Sequence, residues 1–477
     1  MGSADQQANC QNLPTFELKR LKAHSSNVRP EARSKRNLKR VSLVLIVRSP
    51  VRISFSGGGT DLPAYYEQFG GAVLSAAINK YFYTILGTRT DGRVQVISSD
   101  LQMSETRRGI ARKELESGAL EIPLAILKEL NCDVALDLFL ASEIPPGTGL
   151  GSTASVCVNI LKTLTTYLKR PLSNYDLAET SFYIARQVLG KQIGKQDEYA
   201  AAFGGLNYIS FDPDGKTLVE PVELDAALLN ELESNLMLFF TGGAHKSWSI
   251  LKEQETSTRW HRGTVVDALH EVKTLALRMR TALQQGELRR FGKLLHEGWQ
   301  AKRRISSKIS TPRIDELYAL AIQHGALGGK ITGAGGGGFL LLYCEAEQQL
   351  AVRGAMHSAG VPEMVFGFDS QGAQVLVNDT FIDSNAWGDQ PQPHRFTQVM
   401  ACTLAESLND PFHRRLRQLR CLHCRFDCFR GERTSSRAGV APAEVQRLFT
   451  AHSFATYQWR WARSLACHFY RRLILHD

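Results

Sequence analysis

The sequence predicts an α+β protein in two halves, roughly residues 46–212 and 213–380. Short β-branched runs of period two alternate with segments whose apolar residues recur at helical spacing. Glycine-rich loops punctuate several of the junctions. The 477 residues, 43% of them hydrophobic, are enough for two or three domains whose cores need no disulfide or metal.

Residues 1–45 read as a disordered basic extension, polar and without sustained periodicity. The fold is expected to begin at VSLVLIVRSPVRISF, a strand broken by Pro50. After the loop SGGGTDLP come a short helix and a second strand, then alternation at 93–98 and again at 136–144. STASVCVNILKTLTTYLKR is helical, with Val156, Ile160, Leu161 and Leu164 on one face, and a second helix is expected near 175–189. A polar loop, a short helix, a glycine turn and a strand complete the first half. Residues 217–243 suggest a strand pair flanking a short helix, and 262–309 one or two amphipathic helices. Pro312 suits a first helical position, with Asp315 and Glu316 in the favourable first turn and Gly325 as the stop. An apolar strand follows GGKITGAGGGGF. Residues 381–477 lose this alternation and read as a poorly ordered, arginine- and cysteine-rich tail.

The net charge of +10 belongs to the ends. Residues 1–48 hold ten Lys/Arg against three Asp/Glu, and 387–477 hold fourteen Arg against seven acids. The central part is therefore slightly acidic, and a nucleic-acid partner is not expected of it. No apolar run approaches the ~20 residues of a membrane helix, so no membrane partner is expected. Cys10, Cys132, Cys157 and Cys344 are scattered, which suits a reducing cytoplasm. CLHCRFDC lacks a second ligand pair at zinc spacing, so no metal site is expected there.

Four loops carry the chemistry. In PPGTGLGST, Pro146, Gly147, Thr148, Gly149, Leu150, Gly151, Ser152 and Thr153 lead into a helix. Glycines let backbone N–H groups turn toward an anion, the helix start adds its dipole, and the two hydroxyls suit a phosphate oxygen or Mg²⁺. The competing reading is a tight turn with an ordinary serine cap. SGGGTD, with Gly58, Gly59, Thr60 and Asp61, is preceded by Arg52. Asp61 could accept sugar hydroxyls or cap the helix that follows, and Arg52 could face phosphate. In GKQDEY, an Asp197 kept ionised beside Lys195 could orient a hydroxyl and take its proton, or the two could be a surface ion pair. TGAGGGGF satisfies G-x-G-x-x-G through Gly333, Gly335 and Gly338, but a strand follows it where a dinucleotide fold needs a helix.

Taken in order, VRISFSGGGTD, PPGTGLGSTAS, GKQDEYAAAFGG and GGKITGAGGGGF resemble the GHMP kinase superfamily over about residues 46–380. The wording is most similar to its D-glycero-D-manno-heptose 7-phosphate kinases. The resemblance implies a first domain like ribosomal protein S5 domain 2 and a ferredoxin-like second domain, with ATP and substrate between them. It implies that the second loop holds ATP phosphates, with Ser152 or Thr153 near Mg²⁺. Asp197 would act on the sugar 1-hydroxyl and Arg52 on the transferring phosphoryl group. Gly58, Gly59, Thr60, Asp61, Lys195 and Gly335 would surround the sugar phosphate. Alternatives are a kinase for another sugar such as fucose, or a weakened sugar- or nucleotide-binding protein. Relatives place a Mg²⁺-binding Glu ten to twelve residues before the catalytic Asp. Here Ala185, Arg186 and Gln187 stand there, so Glu179, Glu198 or the hydroxyls alone would have to serve. His245 and Lys246 stand where relatives carry an Arg.

Overall fold

A computed structural model of the chain describes residues 40–383, apart from 102, 109–119, 133, 243–246 and 261–262. The expectations for the two ends, for CLHCRFDC and for His245 and Lys246 fall outside the described residues.

The opening apolar run and RSPVRISF form one strand, β1 (Arg40–Ser56), so Pro50 does not break it. The register against β2 (Gly71–Thr88) shifts between Pro50 and Val51 instead. Proline donates no N–H, and a bulge is where a paired strand tolerates that loss. Between the two strands lies a short helix, α1 (Pro63–Phe69).

β3 (Arg93–Ser98) and β4 (Met103–Arg108) form an antiparallel pair, and α2 (Glu121–Glu129) follows. β5 (Leu136–Ser142) runs parallel to β3 and antiparallel to β2. Next come α3 (Ser152–Tyr167) and α4 (Asn174–Tyr183), which ends in a π turn, Ile184–Val188. After them come α5 (Gln196–Phe203), β6 (Leu206–Phe211) and β7 (Thr217–Pro221). The half-buried alternation of β5 and β6 puts one face on the helices, as period two requires.

The second half holds α6 (Ala226–Ser234), β8 (Leu236–Phe240), α7 (Ser247–Arg259), α8 (Gly263–Gln284) and α9 (Leu288–Arg303). The expected helical stretch at 262–309 is thus two helices, parted at Gly286, whose φ of 73° a side chain would resist. α10 (Pro312–Gln323) begins at Pro312 as the sequence indicates, with Thr311 accepting a hydrogen bond from the Ile314 amide and Asp315, but not Glu316, in the first turn; Gly325 follows its end at φ 110°. β9 (Gly328–Ile331), β10 (Phe339–Tyr343), α11 (Ala346–Ser358) and β11 (Gln374–Asp383) complete the described chain.

One sheet has eight strands in the order β11-β1-β2-β5-β3-β4, with β6 on β2 and β7 on β6; the other is β8-β10-β9. The mixed α+β architecture expected from the sequence is present. One buried cluster joins Val51, Ile53 and Phe55 of β1 to Leu275 and Met279 of α8, Phe291 and Trp299 of α9, and Leu340 of β10. The Phe55 and Phe291 rings meet edge to face, with centroids 5.3 Å apart. A cleft opens where the glycine loops of both halves meet.

Candidate active site

The loop between β5 and α3 makes one wall of that cleft. Gly147, Gly149 and Gly151 take φ of 77°, 83° and 80°, a conformation that L side chains resist. Gly151 occupies the cap position of α3 and no side chain caps the helix, so the serine-cap reading does not hold. The helix start is left with N–H groups unmatched by a side chain, which suits an anion. A Cβ on Gly149 would lie 2.6 Å from the Thr332 carbonyl oxygen, and one on Gly338 would lie 2.2 Å from that of Thr148. The second and last glycine loops therefore touch backbone to backbone.

Arg52 ties this loop to a carboxylate. Its amide donates to the Leu150 carbonyl at 2.9 Å, and its Nη1 to the Gly149 carbonyl at 2.7 Å. Nε and Nη2 grip the Asp197 carboxylate at 2.6 and 2.7 Å. This is the bidentate fork that guanidinium and carboxylate favour. Two of the five guanidinium N–H groups remain for a ligand oxygen. The Arg52 side chain is 5% exposed and that of Asp197 26%, so the carboxylate is the part a solute can reach. A Cβ on Gly151 would lie 3.2 Å from Asp197 Oδ2, which sets the carboxylate directly against the glycine loop before α3.

The expected Lys195–Asp197 pairing is not formed. Lys195 is buried and turned away, donating to Glu179 Oε1 and to the Gly215 carbonyl, each at 2.8 Å. Residues two apart at a helix start do not face each other. Arg52, 145 residues away, takes the place the sequence assigned to Lys195.

Asp61 does not cap α1, whose N-cap is Leu62 with no side-chain cap. Its carboxylate instead receives the Gly59 amide at 2.8 Å, the Gln196 amide at 3.2 Å and Gln196 Nε2 at 3.1 Å. It thus caps α5 from outside and fixes the helix that carries Asp197. Burial first, and Asp197 second, push its carboxyl above the ordinary aspartate range, while those backbone donors oppose the rise.

Of the residues singled out in the sequence, Arg52, Gly58, Gly59, Asp61, Gly147, Gly149, Gly151, Ser152, Thr153 and Asp197 line the cleft. The others support it. Thr60 Oγ1 donates to the Gly57 and Ala72 carbonyls, Thr148 Oγ1 to that of Pro145, and Leu150 is core. Pro146 is exposed, and Gly335 packs on Ile309, where a Cβ would come within 2.9 Å.

The cleft also holds residues the sequence did not single out. Gln254 of α7 donates to the Gly59 carbonyl at 3.1 Å. Ser54 Oγ is buried without a hydrogen-bond partner. Lys302 bonds the Ile331 and Gly333 carbonyls, and Lys330 donates to the Phe55 carbonyl at 3.1 Å. Burial, then Arg52, lowers the Lys302 ammonium to about 7; burial, then Lys302 and Arg52, holds Lys330 well below its usual range. A lysine set between glycines and apolar residues in GGKITG was a signal for burial; no local signal marked Gln254.

The fit to a divalent cation rests on unmatched oxygens. Ser152 Oγ is buried with no hydrogen-bond partner, whereas Thr153 is exposed. Of the two acids named from the sequence, Glu179 is occupied by Lys195 and by the Tyr199 hydroxyl. Glu198 is fully buried, and neither carboxylate oxygen has a hydrogen-bond partner. Burial first, then Asp197, pushes its carboxyl well above the ordinary range. The described residues hold no group of three or more His, Cys, Asp or Glu placed to bind a metal, so any cation would rely on few side chains and on phosphate oxygens.

A glycine cradle at a helix start beside an ion-paired carboxylate is an arrangement that phosphoryl transfer can use. Two family models match the chain: GHMP kinases N terminal domain over residues 117–205 and GHMP kinases C terminal over 279–361. The chain thus carries matches to both the N- and C-terminal domains of the GHMP kinases. It is 29% identical over 334 residues to the D-glycero-alpha-D-manno-heptose 7-phosphate kinase of Campylobacter jejuni, covering 69% of this chain and 97% of that protein. A solved D-glycero-D-manno-heptose 1-phosphate kinase from Bacteroides thetaiotaomicron matches with a TM-score of 0.59 at 28% identity, over 70% of this chain and 99% of that one. The L-fucokinase/L-fucose-1-P guanylyltransferase of Bacteroides fragilis is 25% identical over 64% of this chain, but over only 35% of its own length.

Proposed function

We propose that the protein transfers a phosphoryl group from ATP to the anomeric hydroxyl of a sugar phosphate, with D-glycero-D-manno-heptose 7-phosphate as acceptor and the 1,7-bisphosphate as product. The observation that carries this reading is the Asp197 carboxylate, held by Arg52 against the phosphate loop. Likeness to the heptose-phosphate kinases over nearly their whole length favours that acceptor over fucose.

The chain's own groups divide the work. Backbone N–H groups at Gly147, Gly149, Gly151 and the start of α3 receive the ATP phosphates. The loop of Gly58, Gly59 and Asp61 forms the acceptor's side of the cleft. Asp197 accepts a hydrogen bond from the anomeric hydroxyl, aims its oxygen at the γ-phosphorus and is placed to take its proton. The free N–H groups of Arg52 face the charge on the transferring phosphoryl oxygens. Mg²⁺ would be held by the Ser152 hydroxyl and ATP phosphates, where it would neutralise phosphate charge.

The test is ADP release by the purified full-length chain over a panel of sugars and sugar phosphates, beside ATP affinity. Heptose 7-phosphate should give the highest kcat/KM, and Asp197→Asn should lower kcat by about 10²–10⁴ with ATP affinity nearly intact. ATP binding without turnover of any sugar would make the protein a nucleotide-binding relative. Unchanged turnover in the variant would remove Asp197 from its role.

A further inference from the structure

We propose that Glu198 is the carboxylate ligand of the divalent cation that accompanies ATP, acting beside the hydroxyl of Ser152. The proposal rests on the nucleotide-kinase reading and chooses among the three ligand sources that the sequence leaves open.

The argument is one of elimination among the acids that line the cleft: Asp61, Asp197 and Glu198. Asp61 already accepts from two backbone amides and the Gln196 side chain, with a partner on each oxygen. Asp197 has both oxygens on Arg52. Glu198 has neither oxygen bonded, although none of its surface reaches solvent. A buried carboxyl group left unmatched is costly, so a cation is the natural complement.

Position agrees, because Ser152 and Glu198 both line the cleft. Ser152 Oγ is likewise buried and unbonded. One carboxylate and one hydroxyl, completed by phosphate oxygens and water, is a set that Mg²⁺ accepts. Glu179 does not line the cleft, and its Oε1 accepts from Lys195 and Tyr199. Ala185, Arg186 and Gln187 offer no carboxylate.

Binding of Mn²⁺, read by electron paramagnetic resonance of the free ion, tests this without turnover. Full-length protein is titrated alone and with the non-hydrolysable ATP analogue AMPPNP, as wild type, Glu198→Gln and Ser152→Ala. Both variants should bind Mn²⁺ at least about tenfold more weakly than wild type, the lower end of what even an outer-shell change costs a metal site. AMPPNP affinity measured without metal should stay within about twofold and serves as the check of folding. Wild-type Mn²⁺ affinity in folded Glu198→Gln overturns the proposal, as does a wild type that binds no Mn²⁺. Should Glu198→Gln fail to fold, Ser152→Ala decides: its wild-type Mn²⁺ affinity overturns the site. If wild type takes Mn²⁺ but neither AMPPNP nor any sugar, the kinase reading fails while Mn²⁺ loss in the variants still upholds the site.

Discussion

Lys302 shows how far the cleft departs from water. Its ammonium is buried, bonded to the carbonyls of Ile331 and Gly333, with Arg52 close enough to repel it. No carboxylate among the described residues forms a salt bridge with it. An anionic ligand would relieve that repulsion, and meanwhile burial lowers the group from 10.5 to about 7. The sign of the linkage follows. Between pH 7 and 10.5 the unfolded chain binds a proton that the folded chain has released, so this group makes stability rise with pH through that window. Lys302→Met removes the dependence. Denaturant midpoints of both proteins from about pH 7 to 9 should show wild type gaining on the variant. A gap that stays constant would mean that Lys302 does not titrate there.

At the scale of elements, the loops matter through what they touch. Gly92 and Gly149 both have positive φ, 71° and 83°, but a Cβ on Gly92 meets nothing within 4 Å while one on Gly149 strikes the Thr332 carbonyl. Gly92→Ala should therefore cost only the left-handed backbone, about 1–2 kcal/mol, and leave ATP affinity alone. Gly149→Ala should cost more in chemical denaturation and weaken ATP binding by about tenfold or more, because the phosphate loop must leave its contact with Thr332. Equal effects of the two on ATP affinity would show that the contact does not shape the cradle. The same contrast explains what the sequence could reveal. Glycine spacing, the Pro312 helix start and the alternation of β5 are local, and they were legible. The Arg52–Asp197 fork joins residues 145 apart, and Lys195, two residues from Asp197, was the nearer but wrong partner. Pro50 read as a break because a single strand does not reveal the partner that absorbs its bulge. Glu198 was only one of two acids to choose between, since nothing in GKQDEY shows that its oxygens end up unbonded.

Across the whole molecule, the two halves share their interior. The cluster from β1 to β10 crosses from one half to the other, Ser56 Oγ donates to the Val272 carbonyl at 2.7 Å, and Lys330 reaches back to Phe55. A cleft whose walls come from both halves keeps its geometry only if the halves unfold together, and this core makes that the expected behaviour. Two native thiols report on it. Cys157 lies in α3, within the core of the larger sheet, and Cys344 follows β10 in the smaller one; both are buried and free. Pulsed thiol labelling along a urea series, read peptide by peptide in a mass spectrometer, should expose both at the same midpoint. AMPPNP at about 100 times its dissociation constant should then move both midpoints together, by an amount equivalent to about 2.7 kcal/mol. Cys344 becoming reactive well before Cys157, or a shift confined to Cys157, would show that the halves unfold separately and that the nucleotide is held by the first half alone.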